Sequence, residues 1–144
     1  MSHYADSSFL VSCYVTDANT PHAQAHLARI GVPLLFTALH ALEVRNAFKL
    51  GVFRGVITAA QANAAIRNLE SDLRSGRLVR TEVDWPVAWR VAARLSERHS
   101  LTMGNRSLDI LHVATAKSIR VTEIISFDTR QRALSGVVGL RVAP

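Results

Sequence analysis

Short apolar runs alternate along this chain with longer segments whose apolar residues recur at helical spacing. Runs of this length predict strands, and the longer periodic segments predict helices. Strands that alternate with helices predict an α/β fold with a mostly parallel sheet that is covered on both faces. The predicted strands are 3–6, 32–36, 78–81, 123–127 and 140–142, and the predicted helices are 7–15, 21–30, 38–53, 58–75, one that begins at Pro86, 108–118 and 129–134.

Capping residues support several of these helix starts. Thr37 is a plausible N-cap for the helix over 38–53, and Thr58 with Gln61 forms a capping-box pattern. Ser107 is the predicted cap of the helix over 108–118. Residues 101–105 are predicted to form a loop before it.

The length and composition are those of one ordinary globular domain, which we place over residues 1–144. Hydrophobic residues make up 49% of the chain and charged residues 19%, which argues against a disordered protein. Cys13 is the only cysteine, so no intrachain disulfide can form, and we expect its thiol to be buried. Neither a signal peptide nor a membrane span is recognisable, so we expect a cytoplasmic protein that does not enter the membrane.

The net charge is +6, and the 17 cationic side chains comprise 15 arginines and 2 lysines. The planar guanidinium matches phosphate oxygens well, so this bias is typical of a protein that binds nucleic acid. An arginine-favouring codon usage explains the same bias equally well.

Four acidic residues, Asp6, Glu43, Asp109 and Asp128, stand in apolar or small-residue contexts. Burying a carboxylate is costly unless a partner or a metal ion compensates, and hard cations prefer oxygen ligands. Asp6 and Asp128 end predicted strands, where sites of α/β folds form. The four acids can therefore converge on one edge of the sheet and share a divalent cation.

Other chemistries fit the sequence less well. A phosphatase that forms an aspartyl phosphate needs a second aspartate where Ser8 stands, and no glycine-rich phosphate loop occurs. His22 and His26 lie four residues apart without a third ligand, so we expect them to be exposed and free of metal. His112 is expected to be a core or near-site histidine.

The motifs around the four acids resemble those of the PIN domain family, particularly the VapC-type toxins of bacterial toxin–antitoxin pairs. Each motif is weak alone, and the signal comes from all four in order over essentially the whole chain. The motifs are Tyr4-Ala5-Asp6-Ser7-Ser8-Phe9-Leu10-Val11, Leu42-Glu43-Val44-Arg45-Asn46-Ala47, Arg106-Ser107-Leu108-Asp109-Ile110-Leu111-His112-Val113-Ala114 and Ser126-Phe127-Asp128-Thr129-Arg130-Gln131-Arg132-Ala133-Leu134.

The resemblance implies a three-layer α/β/α sandwich and an endoribonuclease that depends on Mg²⁺ or Mn²⁺. It assigns Asp6, Glu43, Asp109 and Asp128 to the catalytic metal site, with Asp6 and Asp109 as the strongest candidates for direct ligands. In the toxin branch it also implies a cognate antitoxin, and a homodimer, for which exposed apolar positions on the helices over 38–53 and 58–74 can supply the face. Taken singly, Asp109 and Asp128 also fit ordinary acids at helix N-termini.

Three polar residues are expected to support the acids. A hydroxyl of Ser7 or Ser8 can bond a carboxylate or a metal-bound water, or can cap the helix that follows. Asn46 lies three residues after Glu43, so it can orient Glu43 or contact the substrate.

Three arginines adjoin the acids and are candidates for binding RNA phosphates. Arg106 precedes Asp109 by three residues, and Arg130 and Arg132 follow Asp128. A solvated face or a contact with the antitoxin explains them as well.

Two alternatives to a toxin nuclease stay open. One is a PIN-type protein that binds RNA or acts as a scaffold without catalysis, which the presence of all four acids disfavours. The other is a housekeeping RNA-processing nuclease, although such proteins often carry additional domains. Trp85 and Trp89 are expected to serve packing or partner contacts rather than base stacking.

Overall fold

The computed structural model describes residues 2–31 and 33–144, which form seven helices and five strands. The strand predicted over 32–36 begins at Leu34, and Val32 lies outside the described residues. In chain order the elements are β1 (His3–Ala5), α1 (Ser7–Tyr14), α2 (Thr20–Ile30), β2 (Leu34–Phe36), α3 (Ala38–Phe53), α4 (Ala59–Ser75), β3 (Leu78–Arg80), α5 (Trp85–Met103), α6 (Ser107–Ser118), β4 (Glu123–Ile125), α7 (Thr129–Val137) and β5 (Arg141–Ala143).

The five strands form one parallel sheet in the order β3-β2-β1-β4-β5. Leu35 of β2 pairs with Val79 of β3, and Ile124 of β4 pairs with Val142 of β5. Consecutive parallel strands need crossover connections, which the intervening helices provide. The predicted α/β fold with a parallel sheet is confirmed.

The backbone divides into two compact units. One is the continuous stretch Ala5–Thr81, here called the continuous unit. The other combines the N-terminal residues up to Tyr4 with Glu82–Pro144, here called the split unit.

The core of the continuous unit is built from the inward faces of α1, α3 and α4. Phe9, Val44, Phe48 and Leu69 are all fully buried. The Cys13 thiol lies at the edge of this packing, where burial raises its pKa to about 12, with a further contribution from the carboxylates of Asp72 and Asp17. A thiol with so high a pKa stays protonated at neutral pH and is a poor nucleophile.

The core of the split unit surrounds β4 and α6. Ile124, Ile125 and Val113 are fully buried, and Tyr4 extends from β1 to place its hydroxyl 2.7 Å from His112 Nδ1. His112 is therefore a buried, hydrogen-bonded core residue, as expected from its apolar helix.

Two predictions about helix ends were wrong. The loop predicted over 101–105 is helical as far as Met103, and the helix stops only at Gly104, whose φ of 63° is left-handed. Glycine adopts that conformation without steric cost, which makes it the natural helix terminator. Ser107 is the first residue of α6 rather than its cap, because Arg106 has the extended backbone of the N-cap position.

The remaining element boundaries differ from their predicted positions by a few residues, as is usual at frayed ends. The largest shift is in α7, which extends to Val137 rather than stopping at 134. The strand predicted over 123–127 ends at Ile125, although Ser126 N–H still donates to the Ala143 carbonyl.

The prediction that His26 is exposed was also wrong. His26 is buried on α2, with its ring edge-on to Phe9 at a centroid distance of 6.1 Å and its Nδ1 2.7 Å from Arg29 Nη2. His22 is exposed as predicted. The packing partner, Phe9, is distant in sequence, so the local pattern gave no sign of it.

Several large apolar side chains are exposed on α3, one near its start and one at its end, and just beyond it. Phe53 is 87% exposed, Val56 75% and Leu42 70%. On α4 the exposed apolar positions are the alanines Ala59 and Ala60, so this helix offers much less apolar surface than α3, and its predicted part in a dimer face stays a prediction. No helix in the described parts of the chain is long and apolar enough to cross a membrane.

We predict that Leu69→Ala lowers the free energy of unfolding by about 2–5 kcal/mol, because it leaves a cavity in a fully packed core. Leu101→Ala is the matched control: Leu101 is also helical but 98% exposed, so its loss should change stability by less than about 0.5 kcal/mol. Urea denaturation of both variants measures the difference, and equal destabilisation would contradict the burial of Leu69.

Candidate active site

Asp6 follows β1 directly and is the N-cap of α1. Its side chain is almost completely buried, and its Oδ1 accepts hydrogen bonds from the Phe9 backbone N–H at 2.7 Å and the Ser8 hydroxyl at 3.0 Å. These donors replace lost water, and they lie at the positive end of the helix dipole. The charged carboxylate is therefore stabilised in a fixed orientation.

Glu43 lies on α3 and is held by a residue next to Asp6. The Ser7 hydroxyl donates to Glu43 Oε1 at 2.9 Å. Both predicted serines thus contact a carboxylate, Ser7 that of Glu43 and Ser8 that of Asp6, while Asp6 itself caps the helix. Asn46 is exposed on the same helix.

His40 fixes the start of α3 against the end of β1, and sequence reasoning gave it no role. Its Nδ1 accepts the Thr37 backbone N–H at 3.0 Å, so Nε2 carries the proton and donates to the Ala5 carbonyl at 2.8 Å. Because Ala5 precedes Asp6 and His40 precedes Glu43, this bond sets the positions of both acids. The Thr37 cap was visible in the sequence, but the bond to Ala5 spans 35 residues and was not.

In the split unit, Asp109 and Asp128 share one guanidinium. Arg106 Nε donates to Asp109 Oδ2 at 2.9 Å, and Arg106 Nη2 lies 3.7 Å from Asp128 Oδ2. Asp109 is in the first turn of α6 and Asp128 is the N-cap of α7, so both carboxylates face helix N-termini. The hydrogen bond to Asp109 raises the pKa of Arg106 further above its already high value.

Gln131 connects these two acids and was also missed. Its backbone N–H donates to Asp128 Oδ1 at 2.8 Å, and its side-chain Nε2 donates to the Asp109 backbone carbonyl at 3.3 Å. The side chain is fully buried. A glutamine three residues after an aspartate cap is common in sequences. Only the tertiary contact with the Asp109 backbone therefore reveals that Gln131 links the two acids.

The other two candidate arginines differ from each other. Arg130 is exposed. Arg132 Nη1 instead donates to the carbonyls of Ser126 at 2.9 Å and Pro144 at 3.2 Å. Those bonds tie α7 to the chain after β4 and to the C-terminal residue.

The structure thus shows two acidic pairs, Asp6 with Glu43 and Asp109 with Asp128, each held by hydrogen bonds within its own unit. Across residues 2–31 and 33–144, no three His, Cys, Asp or Glu side chains form a preassembled metal cluster. All candidate donors are carboxylate oxygens, which suit a hard cation such as Mg²⁺. Mg²⁺ commonly takes only one or two carboxylates and keeps several waters, so the donor set fits such an ion.

Comparison with known proteins identifies the family. A solved structure, FitAcB from Neisseria gonorrhoeae, superposes with a TM-score of 0.67 over 99% of this chain and 96% of that chain. The two sequences are 19% identical, so the likeness is one of fold. A search of curated proteins finds no match. Residues 4–137 match the PIN domain, and the chain therefore belongs to the PIN domain family, whose members are generally nucleases.

Proposed function

We propose that this protein is a metal-dependent endoribonuclease that hydrolyses phosphodiester bonds in RNA. The match of residues 4–137 to the PIN domain carries the proposal, since PIN domains are generally nucleases. Two further observations support it. The chain retains hydrogen-bonded acidic pairs, and its net charge of +6 favours a polyanionic substrate.

The proposed metal ligands are the carboxylates of Asp6, Glu43, Asp109 and Asp128, and the proposed ion is Mg²⁺ or Mn²⁺. PIN nucleases usually use divalent metals. When bound, the ion would neutralise phosphate charge and lower the pKa of a coordinated water.

The residues around Asp6 and Glu43 hold both carboxylates in a fixed orientation. Ser8 and the Phe9 N–H hold Asp6, and Ser7 holds Glu43, so neither carboxylate has to be reorganised when the substrate binds. Arg130, which is exposed, is proposed to bind RNA phosphates. Asn46 is proposed to contact the substrate from α3 because it is exposed there.

We predict that Asp6→Asn reduces cleavage of total cellular RNA by at least about a hundredfold, the lower end of what one catalytic group contributes. Asparagine is as good an N-cap as aspartate, so helix α1 and the fold should be preserved. The measurement compares purified proteins with Mg²⁺, with Mn²⁺ and with chelator, and cleavage should require a metal.

Asp84→Asn is the matched control for this experiment. Asp84 also caps a helix, accepting the Val87 N–H at 3.0 Å, but it has no part in the proposed site. The Asp84→Asn variant should therefore cleave RNA at the wild-type rate. Cleavage by Asp6→Asn at the wild-type rate would contradict the assignment, whereas RNA binding without cleavage by the wild type would favour the scaffold alternative.

We further propose that the nuclease is the toxin of a toxin–antitoxin pair with a cognate antitoxin. The resemblance of the four acidic motifs to VapC-type toxins supports this. A housekeeping RNA-processing nuclease is the alternative, and the two differ in what happens when the protein is expressed without a partner.

We predict that induced expression of the wild type alone arrests bacterial growth, because unrestrained RNA cleavage blocks translation. Asp109→Asn should not arrest growth at the same expression level. Growth curves and immunoblots provide the measurement. Equal toxicity of the two proteins would contradict a nuclease mechanism, and harmless wild-type expression would favour a housekeeping enzyme.

We also propose a homodimer that buries the exposed apolar side chains of α3 and of the residues just after it. Leu42, Phe53 and Val56 are each at least 70% exposed, and most soluble oligomers pair identical patches by two-fold symmetry.

We predict that Phe53→Asp shifts the protein from dimer to monomer, because it places a charge in an apolar interface. Leu101→Asp, at a site on α5 that is 98% exposed, should leave the dimer intact. Light scattering coupled to gel filtration gives the masses. A monomeric wild type, or a dimeric Phe53→Asp variant, would rule out this face.

A further inference from the structure

We propose that Arg106 is a resident cation of the Asp109–Asp128 pair, which a divalent metal ion has to displace before it binds these carboxylates. The inference rests on the proposed metal-dependent function and adds a means of regulating the same site. The site would then exist in two forms, one paired with the guanidinium and one paired with the metal ion.

The contacts of Arg106 carry this inference. Two different nitrogens of one guanidinium face two different carboxylates, with Nε 2.9 Å from Asp109 Oδ2 and Nη2 3.7 Å from Asp128 Oδ2. A guanidinium has five donors in a rigid fork, so it can occupy both partners at once. Asp109 Oδ2 and Asp128 Oδ2 are thus both occupied by the guanidinium, so a metal ion that uses either oxygen has to compete with Arg106.

The Asp128 carboxylate and the Asp109 backbone have hydrogen-bond partners other than Arg106. Asp128 uses its other oxygen, Oδ1, to accept the Gln131 N–H, and the Gln131 side chain bonds the Asp109 carbonyl. The helix N-termini add further stabilisation of the negative charges. When Arg106 leaves, the Asp128 carboxylate and the backbone that carries Asp109 should therefore stay in place, and the Asp109 carboxylate becomes available to another cation.

Arg106 is also easy to displace. Its side chain is 66% exposed, and exposed ion pairs are weak and screened by salt. The arginine therefore lowers the apparent metal affinity modestly rather than blocking the site. Once displaced, its exposed guanidinium is available to an RNA phosphate, so binding of metal and of RNA should favour each other.

The test is the affinity for Mn²⁺, measured from the free-ion electron paramagnetic resonance signal at low ionic strength. Arg106→Gln should bind Mn²⁺ about two- to fivefold more tightly than the wild type, the range expected for one exposed ion pair. Arg106→Lys keeps the charge and should stay closer to the wild type. High salt should reduce the difference between the wild type and Arg106→Gln.

Two controls separate this effect from general changes in charge. Arg94→Gln removes the same charge from an exposed arginine of α5, outside the proposed site, and should leave the affinity unchanged. In an Asp109→Asn background, Arg106→Gln should tighten binding less, because only the longer contact with Asp128 remains. Unchanged or weaker binding by Arg106→Gln, equal tightening by Arg94→Gln, or an undiminished tightening in Asp109→Asn would each overturn the proposal.

The measurement also distinguishes this inference from the proposed function. Tighter, Asp109-dependent Mn²⁺ binding by Arg106→Gln, in a protein whose wild type cleaves no RNA, would support the inference and refute the nuclease. Metal-dependent RNA cleavage by the wild type, together with an Mn²⁺ affinity that is unaltered in Arg106→Gln, would support the nuclease and refute the inference. Absence of Mn²⁺ binding by every variant would overturn the inference.

Discussion

A carboxylate that leaves water needs hydrogen-bond donors in its place, and this requirement shapes both acidic pairs. Asp6 is almost fully buried yet receives a helix-terminal N–H and a serine hydroxyl. Asp128 receives the Gln131 N–H at the start of α7. Each strand-to-helix junction thus supplies both the acid and the donor that stabilises it.

The same requirement explains how the acids are prepared for the metal binding that we propose. Donors satisfy one oxygen of Asp6 and one of Asp128, and the serine beside Asp6 holds Glu43. Carboxylates held in this way keep their orientation without a metal ion. In our proposals the protein prepares the ligands, Arg106 partly neutralises one pair, and the metal ion completes the site.

Much of the fold was predictable from local sequence patterns. The bounds of α3 were predicted correctly, because its Thr37 cap and apolar spacing are local signals. The four acids stood out because carboxylates are unusual in apolar surroundings. The errors at Gly104 and Ser107 arose where two helices lie close together and several residues compete as terminator or cap.

The parts that were missed depend on contacts between distant residues. His40 bonds Ala5 across 35 positions, and Gln131 bonds Asp109 across 22. His26 is buried because Phe9 packs on it. No periodicity or capping signal in the sequence encodes such pairings. Likewise, the double contact of Arg106 requires carboxylates from two different helices.

The most direct test of the central claim, that these acids are metal ligands, is anomalous diffraction from crystals grown with Mn²⁺. The claim predicts an anomalous peak in contact with at least one of the carboxylates of Asp6, Glu43, Asp109 and Asp128, and its loss in crystals of Asp6→Asn or Asp109→Asn. Well-ordered crystals at saturating Mn²⁺ without a peak at any of the four acids would contradict it.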